Sequence, residues 1–154
     1  MSSHTKAVIL ARKLLSQAKK NEPDITADLR EIATEISAEL AGLENRFKTE
    51  ISLVRKLTDR TEFNLESVHR VAEKINDVLR FTFILLFETY SLNFQQAIEL
   101  LQKEGYRIPQ KRIWNAWRTA GKRFDKGYRG INVTVISSQN QILSYNFIHQ
   151  KVLA

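Results

Sequence analysis

The stretch Asn76–Thr89, "NDVLRFTFILLFET", decides the fold. Upstream of it apolar residues recur at steps of three and four, whereas here aromatic and branched residues crowd together, which favours a buried strand over another helix. The switch predicts an α+β chain, with N-terminal helices packed on a small mixed or antiparallel sheet. At 154 residues, 43% of them hydrophobic, the chain suits a single domain over 1–154. Residues 1–62 are its mainly helical part and 63–154 its helix-plus-sheet part.

Upstream, Lys6 to Lys19 carry apolar positions at helical spacing, and "NEPDIT" (21–26) predicts a break at Pro23 with Asp24 or Thr26 as the next cap. Leu29, Ile32, Ala33, Ile36, Leu40, Leu43 and Phe47 then describe the buried face of a long second helix, with Arg30, Glu31, Glu35 and Glu39 on its solvent face. Thr49 is placed to cap a third helix through about Arg60, and a fourth is expected from Asn64 or Leu65 to Ile75.

Downstream, Leu92 to Glu104 returns to helical spacing and Gly105 supplies a stop. "KRIWNAWR" (111–118) can form a strand, "GINVTVIS" (130–137) is a clearer one, and "SQNQ" (138–141) turns into a last alternating strand, Leu143 to Phe147. With so little chain after that strand, the sheet is expected to be left open. An exposed edge or apolar surface would favour self-association into a homo-oligomer.

There is no cysteine, which rules out disulfides and thiolate zinc sites and is compatible with a cytoplasmic location. His4, His69 and His149 are scattered, without partners at metal-site spacing. The run "FTFILLF" falls far short of the ~20 residues that span a bilayer, and "MSSHTK" leads into no signal-like core, so a soluble chain without a membrane partner is expected. Secretion as an effector stays open.

The net charge of +7 is local. Between Lys103 and Arg129 nine basic residues face two acids, so that the remainder of the chain is neutral. Trp114, Trp117, Phe124 and Tyr128 are interleaved with them. Such a mixture can hold phosphates while its rings stack on bases; equally, it can be a solvated basic segment with its tryptophans in the core.

Three segments carry candidate chemistry. In "RFKTEISLVRK" (46–56), backbone N–H groups at a helix start attract anions, with Arg46, Lys48, Ser52, Arg55 and Lys56 around them, although such residues also occur simply solvated. Asp77, just before the expected central strand, can hold magnesium against a triphosphate or be no more than a turn residue. In "DKGYRGINVTVI" (125–136), Tyr128 between Lys126 and Arg129 suits a planar base with phosphates nearby, and the plain alternative is a glycine-containing lead into a hairpin.

In this order the segments resemble the synthetase domain of the RelA/SpoT family, the alarmone enzymes of the stringent response, which have a nucleotidyltransferase-like fold. "RFKTEISLVRK" is similar to the family's R-x-K-x-x-x-S-[IL]-x-x-K element, "NDVLRFTFIL" to its D-[IL]-x-G-I-R-[IV] strand and "GYRGINVTVI" to its G-Y-x-[SG]-[IL]-[HN] strand. The resemblance covers about Leu43 onward. It implies transfer of pyrophosphate from ATP to the 3′-hydroxyl of GDP or GTP, with Mg2+ as cofactor. It further implies that Arg46 and Lys48 face the adenine and phosphates of ATP, supported by Ser52, Arg55 and Lys56. Asp77 would be the catalytic magnesium ligand. Tyr128 would stack on guanine with Lys126 and Asn132 close by, and Asp77 and Tyr128 are expected on one side of the sheet. Arg80 and Thr82 replace the family's glycine and arginine.

Where the family has a strand such as "FELQFHT", whose glutamate is the second catalytic carboxylate, this chain reads "ILSYNFIHQ", with Ser144 at the glutamate's place. One permitted back-translation of Ile142 to Ala154, read from its third nucleotide, gives Phe-Glu-Leu-Gln-Phe-His-Thr-Pro-Lys-Ser-Phe-Ser. A C-terminal truncation of the family domain by a frameshift near Ile142 is therefore expected, leaving an enzyme that is catalytically impaired but still binds nucleotides. A general base is typically worth ~10²- to 10⁴-fold in rate, and Ser144 cannot supply one. The alternative is a non-catalytic nucleotide- or RNA-binding module that uses residues 103–129.

Overall fold

The structure is a computed structural model and describes residues 2–64, 67–109, 113–115 and 130–149. The elements are α1 (Ser3–Glu35), β1 (Glu39–Ala41), a 3₁₀ turn (Leu43–Asn45), α2 (Glu50–Asn64), α3 (Val68–Lys74), β2 (Arg80–Leu85), α4 (Tyr90–Lys103), β3 (Ile113–Asn115), β4 (Gly130–Ile136) and β5 (Ile142–His149). The architecture is α+β, with the strands forming one mixed sheet in the order β1-β2-β5-β4-β3. β2 and β5 run parallel, and the other neighbours are antiparallel. A parallel pair requires a crossover, and α4 supplies its helix.

The predicted break at Pro23 does not occur, since α1 runs through it for 33 residues. Proline inside a helix costs about 3 kcal/mol. Burial of Ala7, Ala11, Leu15 and Ala18 before it, and of Ile25, Leu29, Ile32 and Ala33 after it, keeps one continuous face against the core and offsets that cost. The predicted second helix also ends sooner than its periodicity suggests. Ser37 takes a left-handed φ of 56°, and the Ala38 N–H donates to the Ala33 carbonyl at 2.8 Å, closing α1 as glycine usually does. Leu40 and Leu43 therefore lie in β1 and the 3₁₀ turn, while Phe47 bridges to Leu79. Gly42, at φ 73°, turns the chain between them.

One sheet face is apolar. Phe81, Phe83, Tyr145 and Phe147 pack ring on ring, Phe83 lying 4.6 Å from Tyr145 and Tyr145 4.9 Å from Phe147. They belong to a single buried cluster that includes the inner faces of α1 and α4, where Phe94 meets Phe147 at 4.8 Å. The Tyr90 hydroxyl, also buried, accepts from the Ile131 N–H and donates to the Phe147 carbonyl, tying α4 to β4 and β5.

The last strand is not an open edge. β5 lies between β2 and β4 with Leu143, Tyr145 and Phe147 fully buried, and among the described residues the outermost strands are β1 and β3. The β1 edge, three residues long, offers little template for another chain.

Candidate functional site

The site begins where the chain returns from the 3₁₀ turn. Residues 46–48 run antiparallel beside the approach to β2: the Arg80 N–H donates to the Arg46 carbonyl at 2.8 Å, and the Lys48 N–H to the Val78 carbonyl at 2.9 Å. Thr49 then caps α2 as expected, its Oγ1 accepting from the Ser52 N–H at 3.2 Å. This short link fixes both the extended segment and the first turns of α2 against the residues that precede β2.

Two lysines meet on one carboxylate as a result. Lys48 Nζ donates to Asp77 Oδ2 at 2.9 Å, and Lys56 Nζ, from the second turn of α2, donates to Asp77 Oδ1 at 3.3 Å. The side chains are largely buried, 14%, 25% and 25% exposed for Lys48, Lys56 and Asp77. Burial alone would raise the Asp77 pKa. The Lys48 hydrogen bond and the charges of Lys56 and Lys48 outweigh it and hold the carboxyl below its usual value of 3.8. The trio carries two positive charges and one negative, so its field attracts anions.

The other expected residues lie at different distances from this trio. Arg46 turns toward α1, its Nη2 3.6 Å from Glu22 Oε1, its Nη1 donating to the Leu43 carbonyl at 3.2 Å and its Cζ 5.6 Å from the Phe47 ring centroid. Its Nε is buried without a partner among the described residues. Ser52 is exposed one turn before Lys56 on the same face of α2, and Arg55 is exposed beside it. Asn132 lies on β4, its Nδ2 donating to Ser144 Oγ at 3.0 Å and to Asn146 Oδ1 at 2.5 Å. Lys126 and Tyr128 lie outside the described residues, as does most of the basic segment after Pro109.

β2 and β4 are not neighbours, because β5 separates them, and β4 runs opposite to both. Gly130, the start of β4, pairs with Ile148, which pairs with Ile84 near the far end of β2. Gly130 therefore lies roughly 20 Å along the strands from Asp77, given ~3.3 Å per residue, while the expectation for Tyr128 falls outside the described residues.

Ser144 pairs with Arg80 across the parallel ladder and is 7% exposed. Arg80 Nε reaches back to the Asn45 carbonyl at 2.9 Å. Two partners were not read from the sequence, Glu22 and Asn146. Glu22 falls in the stretch whose sequence predicts a helix break. Asn146 was legible in principle as the polar position that follows Ser144 in the alternation of β5.

The donor set of the described residues does not fit a protein-held magnesium ion. Magnesium demands near-octahedral oxygen coordination, and both oxygens of Asp77 already take an ammonium group. Among the described residues no three His, Cys, Asp or Glu side chains group as a metal site. No described helix is long and apolar enough to cross a membrane.

Neither the protein-family models nor the curated proteins contain a match to this chain. Among solved structures, the complex between the Type VI effector Tas1 and its immunity protein contains a similar fold, at a TM-score of 0.60 and 16% identity. The similarity covers 92% of this chain but 62% of that one. At that identity the likeness is one of fold.

Proposed function

We propose that this chain is a RelA/SpoT-like pyrophosphokinase domain that binds nucleotide polyphosphate at Lys48, Lys56 and Asp77 and is impaired in turnover. The observation that carries the reading is the meeting of two motifs distant in sequence. Lys48 and Lys56, both from the R-x-K-x-x-x-S-[IL]-x-x-K element, converge on Asp77 from the D-[IL] strand. Ammonium groups at 2.9 and 3.3 Å from one carboxylate are within reach of a phosphate that arrives beside it. Ser52 N–H lies in the first turn of α2, where the helix dipole adds to their charge.

The impairment follows from Ser144. It stands where that family has its second carboxylate, and its hydroxyl accepts from Asn132 rather than serving as a base. The reading includes a frameshift near Ile142. It assigns the guanine of the acceptor to Tyr128, with Lys126 and Asn132 beside it.

The test is incubation of the purified chain with labelled ATP and GDP or GTP, followed by thin-layer separation, alongside calorimetry with ATP. ATP binding without (p)ppGpp formation is the expected pair of results. The concentration of basic residues between Lys103 and Arg129 favours a second reading, a nucleic-acid-binding module. That reading requires steeply salt-dependent binding to many RNAs and no preference for mononucleotides.

A further inference from the structure

Asp77 is bound as a counter-ion, not presented as a ligand. Its Oδ2 holds Lys48 at 2.9 Å and its Oδ1 holds Lys56 at 3.3 Å, so a dication arriving at either oxygen meets an ammonium group first. Among the described residues no second carboxylate shares the site. Glu22 is engaged by Arg46 at 3.6 Å, and the neighbouring strand offers the Ser144 hydroxyl, which already accepts from Asn132. The same arrangement suits an anion well. A phosphate approaching Lys48 and Lys56 replaces part of what Asp77 now supplies and leaves the lysines compensated.

We propose that the Lys48, Asp77 and Lys56 site takes a polyphosphate as the free anion, without a divalent cation, and that Asp77 tunes the two lysines by opposing the ligand. This rests on the reading that polyphosphate binds here, and it sets the sign of two dependences. Magnesium weakens binding because it neutralises the ligand. Loss of the Asp77 charge strengthens binding because it removes the competing anion.

The experiment is calorimetric titration of ATP and of inorganic tripolyphosphate into the full chain, in EDTA and in excess magnesium. It is repeated with Asp77→Asn after circular dichroism has established that the variant is folded. The expected results are binding of both ligands in EDTA, weaker binding in magnesium, and affinity about three- to tenfold higher in the variant, as one fewer opposing charge implies. Manganese, followed by water proton relaxation on the unmodified chain, is expected to find no site, a readout independent of the variant's folding. Binding of ATP that requires magnesium, a manganese site removed by Asp77→Asn, or a folded variant with weaker binding would overturn this inference alone. Failure of both ligands to bind at millimolar concentration would overturn the nucleotide reading with it.

Discussion

Removing the Lys48 ammonium while keeping its stem, in Lys48→Met, isolates the charge at the centre of the site. The pair it breaks spans 2.9 Å, and its side chains are 14% and 25% exposed, so solvent screens it only partly. A hydrogen bond to a charged group contributes about 1.5–3 kcal/mol, and Lys56 at 3.3 Å remains to hold part of the Asp77 charge. In a double-mutant cycle with Asp77→Asn, the coupling energy at pH 7 is therefore expected at about 1–2 kcal/mol. For a chain of this size that corresponds to a Tm shift of about 2–8 °C.

The pH dependence has a definite sign. The folded Asp77 pKa lies below 3.8, so the pair's contribution is complete above that value and is lost as pH falls through the folded pKa. The assay is thermal and urea unfolding of the four proteins, from pH 7 down to the lowest pH at which all of them fold. A coupling near zero at pH 7 would refute the geometry, as would one that grows as the solution is acidified.

Pro23→Ala restores a backbone donor at an exposed position inside α1. It is expected to raise the urea midpoint by the equivalent of about 1–3 kcal/mol; a lower midpoint would contradict the unbroken helix. Tyr90→Phe deletes a hydroxyl that serves both Ile131 and Phe147 in the core and is expected to destabilise by about 1–3 kcal/mol in the same assay. Restoring the "FELQFHT" frame near Ile142 is expected to yield (p)ppGpp synthesis. Ser144→Glu alone is expected to do less, because the position is 7% exposed and its neighbours are set for a hydroxyl. Robust synthesis by the unmodified chain would refute the impairment, and coding DNA without that frame would refute the frameshift.

Much of the fold could be read locally. Thr49 announced α2, the spacing of Phe94, Ala97, Ile98 and Leu101 announced α4, and the branched runs at 80–85 and 130–136 announced their strands. What could not be read depends on partners distant in sequence. Pro23 looked like a stop because the burial that carries the helix past it is tertiary. Leu40, Leu43 and Phe47 kept helical spacing while serving β1, the 3₁₀ turn and a bridge to Leu79, and only Gly42 hinted at the turn between them. The last strand looked like an edge because order along the chain does not reveal order in a sheet, where β5 inserts between β2 and β4. In the candidate site, Lys48, Lys56 and Asp77 were each singled out from their motifs. Their mutual contact, and the turn of Arg46 toward Glu22, required α1 and α2 to be packed first.

The central claim is that a nucleotide's phosphates bind between Lys48 and Lys56 beside Asp77. Titration of ATP into isotope-labelled protein, followed through backbone amide and lysine side-chain resonances, tests it most directly. Shifts are expected to concentrate in residues 46–56 and 76–80, with those of the Lys48 and Lys56 side chains largest, and to be lost in Lys48→Ala. Saturable ATP shifts confined to other parts of the sheet, or none at millimolar ATP in folded protein, would contradict it.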